Sequence, residues 1–219
     1  MKKSLLMIAL SVLVLMSSAG AATINVCNTG ENATCTGLAA AGSVDPHYTL
    51  TATADATNGP GPNAFVGTGI PAPWLANGPN SQWITPNVNG SFNLNPGNYT
   101  YTETFTLPVG FGTAQLSGTW ATDNTGTASL NGTPFSTTPA LSCCQMPMTA
   151  FSVTSGFVSG TNTLTFVVNN AGTSPNPTGL RVEISGSTNA VPEPTSLACV
   201  GAGLIALGGI ARRLRASRR

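Results

Sequence analysis

The chain has 219 residues, and only 7% of them are charged, against about 25% in ordinary soluble domains. Lys2 and Lys3 stand at the front, five arginines stand at the very end, and Arg181 is the lone cation between them, facing six carboxylates at Glu31, Asp45, Asp55, Glu103, Asp123 and Glu183. A body so poor in cations excludes nucleic-acid binding, whose affinity comes from Lys and Arg neutralising phosphates; neutral sugars remain open to it.

Residues 1–22 predict a secretory signal peptide. Met1-Lys2-Lys3 is a positive start, Leu5 to Met16 is an apolar run of about a dozen residues, and Ser17 to Ala22 are small. The apolar run is too short for a mature spanning helix, and the small residues suit a signal peptidase cutting after Ala21 or Ala22.

Residues 23–190 predict one all-β domain. Nowhere do apolar residues recur at helical spacing for three turns, whereas two-residue alternation recurs throughout. Tyr48–Ala54 is the first such run, after which Asn58 to Asn80 predicts a long Pro/Gly-rich loop. Trp83-Ile84 and Asn89-Gly90 suggest a strand and a turn. Tyr99–Leu107 is the clearest strand, with Tyr99, Tyr101, Glu103, Phe105 and Leu107 on one face and threonine on the other. Ala114–Ala121 and Gly126–Leu130 follow, the latter ending at Asn131-Gly132, a favoured two-residue hairpin turn. Phe151–Val153, Asn162–Val168 and Leu180–Ile184 close the series. Eight or nine such strands argue for an antiparallel β-sandwich.

Several of these pieces, in order, resemble the galactose-binding-like jelly roll of accessory carbohydrate-binding modules. They are Ser81-Gln82-Trp83-Ile84, Tyr99 to Phe105, Leu116 to Asn124 leading to Leu130-Asn131-Gly132, Gly160 to Asn170, and Asn176 to Val182. The resemblance covers about residues 80–186 and implies a fold; it implies no ligand, because that fold serves many functions.

Candidate chemistry is sparse. Cys27, Cys35, Cys143 and Cys144 remain in the body once Cys199 in the tail is set aside, an even number for an oxidising compartment. Cys27 and Cys35 flank a short loop and are expected to pair. Cys143 and Cys144 are expected to form a vicinal disulfide, or each to reach one of the other two. No metal is expected, since His47 is the single histidine and zinc needs four ligands. His47 also lacks a nucleophile-elbow partner, so no catalytic triad is expected. Glu103, Asp123 and Glu183 could pair on paper for glycoside hydrolysis, but a structural Arg181–Glu183 or Arg181–Glu103 pair is the simpler expectation. No catalytic residue is therefore predicted, and the chain is expected not to be an enzyme. Trp74, in the Pro-rich loop, is expected to be exposed for stacking on a sugar, while Trp83 and Trp120 are expected in the core. Asp123 and Asn124, at a strand end, could bind a ligand hydroxyl or a structural calcium ion, or cap a turn.

The tail, residues 191–219, is the most specific text. Pro192-Glu193-Pro194 precedes an uncharged run through Ala211 containing Leu197, Leu204, Ile205, Leu207 and Ile210. Arg212, Arg213, Arg215, Arg218 and Arg219 then form a basic end expected to stay cytoplasmic. At 15–17 residues the apolar run is at the lower limit for a single transmembrane helix. This arrangement resembles the PEP-CTERM sorting signal. The resemblance implies recognition by an exosortase, removal of the helix near the Pro-Glu-Pro motif, and export in a Gram-negative bacterium that makes exopolysaccharide. The expected protein is transiently membrane-anchored and then held at the cell surface or in the matrix. Its domain is expected to associate with exopolysaccharide without catalysis, or else to be a purely structural component of biofilm or floc; a glycoside hydrolase is the weakest alternative.

Overall fold

A computed structural model describes residues 21–144, 147–190 and 195–217. Contacts divide the chain into Ala21–Ala190 and the terminal segments. The strands of the body, in chain order, are β1 (Ala21–Thr23), β2 (Val44–Ala52), β3 (Asn63–Val66), β4 (Ile84–Thr85), β5 (Asn93–Leu94), β6 (Gly97–Leu107) and β7 (Phe111–Asp123). They continue as β8 (Thr125–Leu130), β9 (Thr133–Thr138), β10 (Thr149–Val153), β11 (Gly160–Asn170), β12 (Asn176–Pro177) and β13 (Gly179–Ala190).

All pairings are antiparallel, and one sheet runs in the order β10-β7-β13-β4-β3-β2-β6-β11-β8-β9, with β1 added to β13. The short strands β3 and β4 carry this sheet round from one layer, β10-β7-β13, to the other, β2-β6-β11-β8-β9. The result is an antiparallel β-sandwich, as the strand patterning predicted, with the jelly-roll form that the resemblance implied; its thirteen strands exceed the eight or nine expected. Its core lies between the layers. Tyr99, Tyr101, Phe105 and Leu107 of β6 and Leu164, Phe166 and Val168 of β11 meet Leu116 and Trp120 of β7 and Leu180, Val182 and Ile184 of β13. Trp120 stacks edge-on to Phe166 at 5.5 Å between ring centres.

The segment from Asn58 to Asn80 is not one long loop, because β3 lies within it and pairs with β2 and β4. The remainder folds down over a second apolar cluster of Trp74, Trp83, Phe92, Ala121, Cys143 and Met148. The Asn131-Gly132 turn links β8 to β9, with both residues at positive φ as a tight hairpin requires; β9 was absent from the sequence reading.

In the tail, a helix α1 spans Thr195–Ala216, 22 residues or about 33 Å. Leu204, Ile205 and Leu207 along it are exposed, as are Arg212 and Arg213. Among the described residues no helix is long and apolar enough to cross a membrane. The side chains of Leu197, Ile210 and Arg215, and all of the Pro192-Glu193-Pro194 motif, Arg218, Arg219 and residues 1–20, where the signal peptide is expected, lie outside the described residues.

Candidate functional site

The expected ligand residues are brought together, but as framework. Trp74 is not exposed: it packs against Trp83 at 4.5 Å and Phe92 at 4.9 Å between ring centres, and 9% of it meets solvent. Its indole N–H donates to Asp123 Oδ2 at 2.9 Å. The stacking platform expected from a Pro-rich loop is therefore absent, because the loop closes over its own tryptophan rather than presenting it. Burial raises the Asp123 carboxyl, and the Trp74 N–H pulls it back. The Asp123 carbonyl accepts from Thr178 Oγ1, and Asn124 Oδ1 accepts from the Ala171 N–H. These bonds tie the β7–β8 corner to the loop before β13.

Cys27 and Cys35 form a disulfide, as expected. Cys143 and Cys144 are free thiols, which corrects the vicinal bridge and both cross-pairings. They lie in a 3₁₀ turn over Ser142–Cys144, where successive side chains are turned about 120° apart rather than towards each other. His47 Nε2 lies 2.8 Å from the Asn32 carbonyl and 3.5 Å from Cys35 Sγ. Cys27, Cys35 and His47 are the one group of three metal-type ligands close together among the described residues, and the disulfide withdraws both sulfurs from metal binding.

The carboxylates separate. Glu103 is buried on the inner face of β6, where Oε1 accepts the Cys27 N–H at 2.7 Å. Burial pushes its carboxyl up to about 8, with that N–H pulling the other way. Arg181 pairs with Glu183 at 2.9 Å, the first of the two expected ion pairs. Arg181 also donates to Ser81 Oγ and the Ala76 carbonyl, so it anchors the 76–81 segment over β13.

The open site lies elsewhere, on the outer face of β7 and β13. Strand register sets four polar pairs in a row: Thr119 against Glu183, Ser117 against Ser185, Gln115 against Ser187 and Thr113 against Asn189. Six residues of strand make this row about 20 Å long. Three hollows of about 370, 200 and 280 Å³ follow it. Adjacent hollows share Ser117 and Ser185, and then Gln115 and Ser187, so they lie end to end along one shallow trough. Asn28 and Asn80 close one end. On the core face beneath, Gly118 leaves room for Phe151, since a Cβ there would collide with it and with the Glu183 carbonyl. The polar side chains of the lining are hydroxyls, amides and one carboxylate, chemistry that exchanges hydrogen bonds with a polar ligand. Sequence reading missed this trough because each strand alone shows only small polar residues; the signal is their coincidence across a register that the sequence does not display.

No curated protein matches the chain. Among solved structures, a CBM35 from Paenibacillus barcinonensis is 18% identical, with a TM-score of 0.32 over 63% of this chain and 91% of its own. A Podospora anserina GH26-CBM35 β-(1,4)-mannanase is 19% identical, with a TM-score of 0.30 over 68% of this chain. An FMN-binding β-glucuronidase from Facaelibacterium prausnitzii L2-6 is 19% identical, with a TM-score of 0.28 over 43% of this chain. This chain spans 29% of the mannanase and 16% of the glucuronidase. At such TM-scores these likenesses carry no argument about ligand or activity. The tail is different: residues 190–216 match the PEP-CTERM protein-sorting motif.

Proposed function

We propose that the domain is a non-catalytic module that lays a neutral polysaccharide chain along the β7–β13 trough, on a protein exported and processed by exosortase. The carrying observation is the unbroken row of four polar cross-strand pairs. Hydroxyls and amides at strand spacing suit the repeated hydroxyls of a glycan, and the excess of carboxylates over cations in the body disfavours an acidic polymer. Among the trough's described lining, Glu183 is the one carboxylate, and Arg181 holds it in an ion pair. Glycoside hydrolysis needs two carboxyl groups facing each other.

The test is affinity electrophoresis of the domain through gels containing neutral glucans, galactans or mannans. Wild type should be retarded by at least one of them, and Ser117→Tyr or Ser185→Tyr, which fill the trough from its exposed side, should run freely. Equal retardation of the filled variants would sink the proposal, as would free migration of wild type in every gel. Free migration would instead favour the purely structural matrix reading, which the absence of aromatic side chains from the trough's described lining supports.

The same proposal assigns the tail. Signal peptidase removes the leader, α1 and its arginines hold the chain at the membrane, and exosortase cuts near Pro192-Glu193-Pro194 and releases the domain to the surface or matrix. Intact mass of the mature protein checks this: its end should fall before Thr195, and a mature chain ending at Arg219 would overturn it.

A further inference from the structure

The Cys27–Cys35 disulfide has a third group against it. Cys27 Sγ, Cys35 Sγ and a ring nitrogen of His47 all lie within 4.8 Å of one another, and His47 Nε2 is 3.5 Å from Cys35 Sγ. Two sulfurs and an imidazole nitrogen are donors for a borderline-soft ion, not for calcium or magnesium, which take oxygen.

The bonds that place these groups do not pass through the sulfurs. Asp45 is buried; its Oδ1 accepts the His47 N–H at 2.8 Å and its Oδ2 accepts the Gly30 N–H at 2.7 Å. One carboxyl therefore fixes the start of β2 against the ring. Glu103 holds the Cys27 N–H. Within the ring the Cys35 N–H donates to the Asn32 carbonyl, and the Asn32 N–H donates to the Gly37 carbonyl. With the S–S bond broken, both cysteines and the histidine still sit on this framework.

We propose that the reduced ring is a zinc site, held by Cys27 Sγ, Cys35 Sγ and His47 Nε2 with water in the fourth position. The same two sulfurs are then a covalent staple when oxidised and a metal clip when reduced. Zinc–sulfur bonds of about 2.3 Å and a zinc–nitrogen bond of about 2.0 Å, at a tetrahedral angle, set sulfur and nitrogen about 3.5 Å apart and the sulfurs about 3.8 Å apart. His47 Nε2 already stands at that distance from Cys35, and the sulfurs separate by side-chain rotation. Cys27 is buried, whereas Cys35 and His47 are half-buried, which leaves the solvent side for the water. Nε2 gives up its hydrogen bond to the Asn32 carbonyl, 2.8 Å away, and that carbonyl is then free to accept from the zinc-bound water.

A small-molecule dithiol supplies two electrons and two protons, leaves as its own disulfide, and turns the S–S bond into two S–H groups. Zinc displaces both protons to solvent as it binds. Residues 4–180 contain no Lys or Arg, and Arg181 is paired with Glu183, so neither residue type is at hand to stabilise bare thiolates; the metal does so. Zinc has no redox chemistry of its own, so it does not reoxidise the thiols that hold it.

The test reduces the full chain with a phosphine, without oxygen and in metal-free buffer, and titrates it with zinc against a chromophoric chelator. Reduced wild type should take up one zinc more than the oxidised chain, and one more than reduced Cys27→Ser/Cys35→Ser, since all three keep Cys143, Cys144 and Cys199. Cobalt in place of zinc should give thiolate-to-metal charge-transfer absorption that the double variant lacks. His47→Ala, whose fold is checked by the melting temperature of its oxidised form, should bind this zinc at least about tenfold more weakly, since losing a ligand costs more than losing a group that orients one. Equal uptake by reduced wild type and either control would overturn the proposal, as would unchanged affinity in His47→Ala. A reduced chain that unfolds without metal should refold when zinc is added, and its failure to do so would overturn the proposal as well.

Discussion

At the scale of single residues, the side chains that look most chemical are structural. Glu103 sits on the core face of β6, and the cost of charging it there holds its carboxyl near 8 against an ordinary 4.5. The unfolded chain gives up this proton from about pH 4.5 upward while the folded chain keeps it. The stabilisation is therefore complete below about pH 4.5, is lost as pH rises towards 8, and is then level. Urea denaturation across that range should show a falling midpoint for wild type and a flatter one for Glu103→Gln, which keeps the shape and never ionises; parallel profiles would refute the assignment. Trp74 gives a second residue-scale prediction. Trp74→Phe removes the N–H that Asp123 Oδ2 accepts and should cost about 1–2 kcal/mol of stability. Because the ring is covered, polysaccharide retardation should be unchanged, and a selective loss of retardation would return Trp74 to the site.

At the scale of elements, legibility followed chemical contrast between strand faces. β6 and β11 were plain because Tyr, Phe, Leu or Val alternate with Thr over most of their length, and in β6 the buried face is the one expected, Tyr99, Tyr101, Glu103, Phe105 and Leu107. β13 was read only as far as Ile184, since Ser185 to Ala190 offer small residues on both faces. β9 has no apolar alternation at all and exists because the turn before it returns the chain beside β8. The trough depends on the pairing of β7 with β13, whose partners there are 64 to 76 residues apart in sequence, and no local pattern encodes that. The turn itself can be tested. Gly132 has φ +82 and open space where a Cβ would go, so Gly132→Ala should cost about 1 kcal/mol from the backbone alone. A cost near zero in chemical denaturation would mean the hairpin tolerates another turn.

At the scale of the molecule, one covalent staple closes a ring within the segment between β1 and β2, and hydrogen bonds from that ring reach the sandwich, so stability and binding should fall together. The Cys27–Cys35 disulfide closes a short ring that sits on buried anchors. The Cys27 N–H reaches Glu103, and its carbonyl accepts the Tyr48 hydroxyl. Thr29 Oγ1 lies between the Gln82 carbonyl and the Val182 N–H. Asn28, between these anchors, donates to Glu31, accepts from the Ile184 N–H and forms one end of the trough. Chain-entropy reasoning for a ring of about nine residues puts the staple at about 2.5 kcal/mol, or about 5–10 °C in Tm for a domain of this size. Cys27→Ser/Cys35→Ser should show that loss. It should also weaken polysaccharide retardation at temperatures where the sandwich is still folded, because Asn28 then sits on a loop held by hydrogen bonds alone. Reductant should reproduce both effects in wild type and leave the double variant unchanged. A variant that melts lower yet binds as wild type would show that the trough does not need its Asn28 end, and would confine the polysaccharide to the Gln115–Ser187 stretch.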